Sequence, residues 1–198
     1  MPVALPTLRP PKTANMRPLD FGAWQTPVGP GAAQRLERLG SRFALDLVTG
    51  QLRWAEDRRA WISALLRGVS DTVVYPVPQP GLIIGTPGAP RVNGGGQAGQ
   101  SLSLAGFAAG YVVRNAQMFS IITGGQRFLY AAVADAQVDG AGNVAVSVWP
   151  PLRRSPNAND ACEFAAPMIE GALSGNEKGW TDERAHTVGL QLTITEIE

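Results

Sequence analysis

The chain closes on HTVGLQLTITEIE, residues 186–198, and the reading of this run decides the fold. Val188, Leu190, Leu192 and Ile194 alternate with Gly189, Gln191, Thr193 and Thr195, the period-2 pattern of a strand with one buried face. A strand this long needs a sheet to join. The N-terminal part of the chain carries too few strand signals to complete one, so the chain is predicted to return to it at its end. What lies between then reads as an insertion.

Working outward, the preceding segment from about Gln100 to Ala166 is a series of short strands. SLSLAGF (101–107) alternates, and Met118–Thr123 and Arg127–Ala131 flank Gly124-Gly125, a two-residue hairpin signal. Asp139-Gly140-Ala141-Gly142-Asn143 makes another turn, in which Gly140 and Gly142 are expected at positive φ. Val144, Val146 and Val148 then alternate toward an interior, with Trp149 expected to close one end before Pro150-Pro151 stops the strand. Such spacing suggests a small closed barrel or a sandwich. Residues 76–99, dense in proline and glycine, read as a linker into it.

The N-terminal 31 residues carry Pro2, Pro6, Pro10, Pro11, Pro18, Pro27 and Pro30, which forbid helix. Leu5, Leu8, Leu19, Phe21 and Trp24 make this an apolar arm that lies against its own core or against a neighbouring subunit. Phe43, Leu45 and Leu47 alternate with Arg42, Ala44 and Asp46 as a strand, with RLERL (35–39) as its expected partner. A helix is predicted over Ala55–Arg67. Trp61 with Leu65 and Ile62 with Leu66 share a face, Glu56 and Asp57 sit in the first turn, and Gly68 is expected as a left-handed cap. Thr72–Tyr75 resumes strand and Pro76 stops it.

Composition narrows the function classes. Glycine (23) and proline (16) make about a fifth of the chain without a collagen period, which favours many turns and short strands. Net charge is +1, too small for a static DNA grip. Arg35, Arg38, Arg42, Arg53, Arg58, Arg59 and Arg67 cluster, but Glu37, Asp46, Glu56 and Asp57 interleave, as on a solvated or subunit-facing surface. The single cysteine, Cys162, excludes an intrachain disulfide and suits a reducing cytosol. No apolar run reaches a membrane span and MPVALPTLRPPK lacks a signal-peptide core, so a soluble protein is expected.

The candidates for chemistry are weak. Gly94-Gly95-Gly96-Gln97-Ala98-Gly99 matches G-x-G-x-x-G, but strand-like Ser101–Leu104 follows where a helix is needed. Cys162 and His186 form a formal nucleophile pair, yet Asp160 and Glu163 beside the thiol suppress the thiolate. Asp135, Asp139 and Asn143 offer too few oxygens for calcium. Trp54 and Trp61 read as core, whereas Trp24, Trp149 and Trp180 read as interface anchors or, alternatively, a sugar-stacking face. No catalytic, cofactor-binding or metal-ligating residue is assigned, and a structural part is expected.

FGAWQTPVGPGAAQRLERLGSRFALDL (21–47), AWISALLRG (60–68) and ADAQVDGAGNVAVSVWPPLRRSP (134–156) together resemble distal tail proteins of long-tailed bacteriophages and gene-transfer-agent-like particles. The resemblance spans about residues 17–198, and the PPLR phrase is its most specific piece. The chain departs from the family pattern at Asn115-Ala-Gln117, where a Gly-Asp turn is expected before Phe119. The resemblance implies a mainly β fold. An antiparallel β-sandwich or split-barrel belt domain with one α-helix (1–81 with 169–198) would carry an inserted small β-barrel (82–168). It further implies a homohexameric ring at the end of a tail tube, touching the tube protein and the tail hub, in a virion tail assembled in the host cytoplasm. DNA would pass through without static binding, and neither membrane nor cofactor is implied. The alternative is a carbohydrate-binding module of a tail or receptor-binding assembly.

Overall fold

A computed structural model describes residues 1–7, 11–52, 55–175, 179–182, 187–188 and 190–197. Leu8, Pro10, Arg53, Trp54, His186 and Gly189 lie outside the described residues. The chain opens with β1 (Val3–Ala4), β2 (Thr13–Leu19), β3 (Ala23–Gln25), β4 (Gln34–Leu36), β5 (Arg42–Val48), helix α1 (Ala55–Arg67) and β6 (Val73–Pro76). It continues through β7 (Gly88–Val92), β8 (Ser101–Phe107), β9 (Val112–Val113), β10 (Met118–Thr123), β11 (Gln126–Ala132), β12 (Ala136–Gln137), β13 (Val144–Trp149) and β14 (Cys162–Glu163). It ends with β15 (Met168–Leu173), β16 (Thr181–Asp182), β17 (Thr187–Val188) and β18 (Gln191–Glu196). The protein is mainly β, with one helix among the described residues.

The strands form two six-stranded sheets, ordered β1-β6-β15-β18-β5-β2 and β14-β10-β11-β13-β8-β7. The last strand, β18, sits inside the first sheet, antiparallel to β15 on one side and β5 on the other, with Leu192 opposite Leu47 and Ile194 opposite Leu45. Leu190, Leu192 and Ile194 are buried while Gln191 on the opposite phase is exposed. Burying each of these three side chains is worth roughly 1.5–3 kcal/mol. Trp61, Ala64 and Leu65 of α1 pack into the same core.

The second sheet is a nearly closed antiparallel barrel. Its edges meet at a bridge between Arg91 and Ala161, flanked by Val92 N–H donating to the Asp160 carbonyl (3.0 Å) and Asn159 N–H to the Val92 carbonyl (2.9 Å). Val144, Val146 and Val148 point inside with Leu102, Leu104 and Tyr130, and Phe119 stacks on Phe164 at 4.3 Å. Gly124 and Gly125 both take positive φ, as the two-residue turn between β10 and β11 requires.

Six local expectations are corrected. The partner of β5 is not Arg35–Leu39: β2 and β18 occupy its two edges, and Gln34–Leu36 pairs with Ala23–Gln25 instead. The proline-glycine segment is not all linker. Residues 88–92 form edge strand β7, where a register shift between Gly88 and Arg91 admits Pro90 without breaking a regular ladder. Gly68 is not a left-handed cap, since its φ is not positive, although its N–H bonds back to Ala64 O at 2.8 Å. A Cβ there would lie 2.6 Å from Val73 Cγ1, so close packing demands the glycine. In the turn before β13 only Gly142 has positive φ (82°), with Phe107 O 2.6 Å from its absent Cβ, while Gly140 has open space. Leu66 is exposed rather than on the buried helix face, and Trp149 leaves the barrel interior to meet Phe43 edge-on at 4.8 Å.

Trp149 is part of a broader seam between the sheets. Leu129 of β11 belongs to the core of the first sheet, with Met118, Ala131 and Trp149 packed against it. At the centre lies Glu196, whose carboxylate accepts Phe43 N–H (2.8 Å), Leu129 N–H (2.8 Å) and Arg153 Nη2 (2.5 Å). Both charged side chains are only 1% exposed. Nearby, Arg127 grips Glu163 with Nε (3.0 Å) and Nη2 (3.1 Å), and its backbone N–H donates to Glu170 (3.2 Å).

Candidate functional site

Among the described residues, Cys162, the Gly94–Gly99 loop, Asp135 and Asp139 are held in structural contacts. Cys162 is buried in the barrel, and desolvation, then Asp160 and Glu163, push its thiol up to about 12. An open groove of about 580 Å³ runs beside it, but a thiol so held supplies no thiolate near neutrality. The Gly94–Gly99 loop is closed by its own glutamine. Gln97 Nε2 donates to the carbonyls of Asn93, Gly94 and Ser103, and its Oε1 accepts Ser103 N–H at 2.6 Å. Asp139 is an internal turn cap: it accepts Asn143 N–H (2.7 Å) and Ala141 N–H (2.9 Å), and these donors, Asn143 first, hold its carboxyl below the ordinary value. Asp135 is turned away to Asn115 N–H at 2.6 Å. Among the described residues no cluster of three or more His, Cys, Asp or Glu is placed to hold a metal.

The arm behaves differently along its length. Val3 and Leu5 are buried, and β2 pairs with β5 over seven residues. From Asp20 to Leu39 the chain leaves the sheet as a two-stranded hairpin, β3 with β4, and every residue of both strands is exposed. Trp24 is 64% and Leu39 73% exposed, and Phe21 and Leu36 are also uncovered. A lone two-stranded hairpin is marginal in water, and contiguous exposed apolar side chains mark interaction surfaces.

What orders the hairpin is a charged root. Asp20 accepts Gly22 N–H (2.9 Å), Arg35 Nη2 (2.7 Å) and Ser41 Oγ (3.2 Å), which lowers its carboxyl, the Gly22 N–H most. The Arg35 guanidinium lies 5.7 Å from the Trp24 ring centroid, and that of Arg42 5.3 Å from Phe21. On another element, the end of α1 exposes Leu66 and Val69, 59% and 64%. Exposed apolar side chains thus stand on separate elements of the molecule.

Of the tryptophans, Trp61 is core, Trp149 is half-buried against Phe43, and Trp24 and Trp180 are exposed. Residue-level reading overlooked Leu36 and Leu39, which looked like part of a paired strand, and the Arg153–Glu196 pair. The only signal for the latter was the arginine of the PPLR phrase. No protein family matches the chain, and no curated protein is significantly similar to it. The functional reading therefore rests on residues, geometry and the resemblance of the quoted stretches.

Proposed function

We propose that this chain is a structural ring subunit at the distal end of a bacteriophage tail tube, joining the tube to the tail hub. The observation that carries the reading is the projecting hairpin of residues 20–39, with Phe21, Trp24, Leu36 and Leu39 uncovered, on a molecule that also exposes Leu66 and Val69 at the end of α1. Two separate apolar surfaces let the hairpin of one copy meet the helix-end residues of the next. They favour head-to-tail association, which closes into a ring when the rotation allows. The PPLR phrase and the other stretches resembling distal tail proteins select the sixfold ring among closed assemblies.

In this reading residues 1–81 with 169–198 are the ring-forming belt and residues 82–168 the inserted barrel, with no catalytic role and no cofactor. The near-neutral charge suits a channel through which DNA passes without being gripped. The partners are further copies of the chain, the tube protein and the hub proteins, in a virion tail.

Mass photometry and negative-stain imaging of the purified chain across a concentration series test this. Sixfold rings, alone or on tail tubes, are expected, and Trp24→Ser with Leu39→Ser should shift the population to monomer. A strict monomer at high concentration that also ignores tubes overturns the reading.

A further inference from the structure

At the root of the arm lies a cleft of about 270 Å³ between the hairpin, the start of β5, the loop before β8 and the end of β13. Trp149 and Pro151 form an apolar wall, and Glu37, Arg38, Ser41 and Gln100 supply polar groups around it. We propose that this cleft binds a neutral pyranose.

Three features point to that ligand class. Size comes first: the cleft is smaller than the roughly 300–1,000 Å³ of drug-sized pockets, so it suits a single ring. Charge comes second. The lining acids Asp20 and Glu37 are balanced by Arg35 and Arg38, which leaves no excess of either sign for a phosphate or a cation. Chemistry comes third. Carboxylate, guanidinium, hydroxyl and amide groups together both donate to and accept from sugar hydroxyls, while Trp149 and Pro151 give apolar surface for the C–H side of the ring.

The cleft is also preset. Asp20 is pinned by Gly22, Ser41 and Arg35, and Phe43 fixes the Trp149 ring. Gln100 Nε2 approaches Glu37 Oε1 at 3.5 Å, tying the arm to the barrel across the opening. The inference does not depend on the ring reading, since every lining group belongs to one chain.

Saturation-transfer NMR and calorimetry on the full chain, with glucose, galactose, mannose, rhamnose and N-acetylglucosamine as probes, test it. At least one sugar is expected to bind with a Kd of roughly 1 mM, the range for a ligand of so few atoms. Arg38→Ala and Glu37→Ala, both exposed positions, should each weaken that sugar about tenfold or more, in step with one lost charge-assisted contact. No binding at about ten times that concentration overturns the proposal. So does binding that both variants leave unchanged, or tighter binding of inorganic phosphate than of any sugar.

Discussion

Arg153 with Glu196 and Arg35 with Asp20 are both close ion pairs, at 2.5 and 2.7 Å, yet they work in different media. The first is sealed between the two sheets, with its partners 1% exposed, and the second stands at the root of the arm, with 36% and 42% of its side chains in water. A buried pair is costly to make and far costlier to halve, because removing one member strands an uncompensated charge. An exposed pair is screened and worth little. The seam is therefore locked to one geometry, and the ion pair at the root of the arm adds little to global stability.

Breaking the lock should give the largest effect. Glu196→Ala strands Arg153 and leaves Phe43 N–H and Leu129 N–H without their acceptor, so a loss of about 3–5 kcal/mol is expected by urea unfolding. Arg153→Met with Glu196→Leu should cost less than either single change. If the double variant is as damaged as the singles added together, the pair is not the coupled unit described.

This pair also shows what the sequence could and could not say. The alternation in 190–194 announces a half-buried strand, and Leu190, Leu192 and Ile194 are buried where the pattern puts them. Glu196 continues the same inward phase, but nothing local tells a polar strand end from a buried hub. Its donors lie 43, 67 and 153 residues away. Local propensity also misassigned Arg35–Leu39, because the edges of β5 are filled by strands from elsewhere in the chain. The hairpin's exposure is a tertiary outcome that no window of sequence records. Pro18 was readable only as a helix breaker, although it fits an edge strand such as β2.

Two glycines sharpen the contrast at a scale of about 1–3 kcal/mol. Gly142→Ala forces a side chain into positive φ and against the Phe107 carbonyl, and should lose about that much. Gly140→Ala, two residues away in open space, should stay within about 0.5 kcal/mol. Thermal denaturation of the two variants side by side is sufficient, and equal losses would refute the assigned turn geometry.

The two carboxylates should titrate in opposite directions. Burial raises Glu196, with Arg153 and the two N–H donors pulling it back only in part. Its folded form therefore holds the proton longer than the unfolded chain does. The stability it contributes is complete below the ordinary glutamate value of about 4.3 and is lost as pH rises through its higher folded value. Asp20 is lowered, so its contribution is present above about 3.9 and is lost as pH falls through its folded value. Carbon-13 carboxyl titration should find Glu196 above and Asp20 below these references, and the reverse order would remove the distinction between sealed and open pairs.

The smallest expected effect on stability is at the arm itself. Trp24 is 64% exposed on a hairpin whose two strands are exposed, and among the described residues Arg35 lies over its ring. Trp24→Ser should therefore leave the urea midpoint unchanged within about 0.5 kcal/mol. The same change removes the largest apolar face on the projecting hairpin, and aromatic anchors of this kind carry most of the binding energy in protein interfaces. Ring formation should consequently weaken by one to two orders of magnitude, roughly 1.4–2.8 kcal/mol per contact. The sealed seam loses stability when cut and the open arm loses association. A Trp24→Ser variant that unfolds early yet assembles normally would show that the arm is held by its own chain.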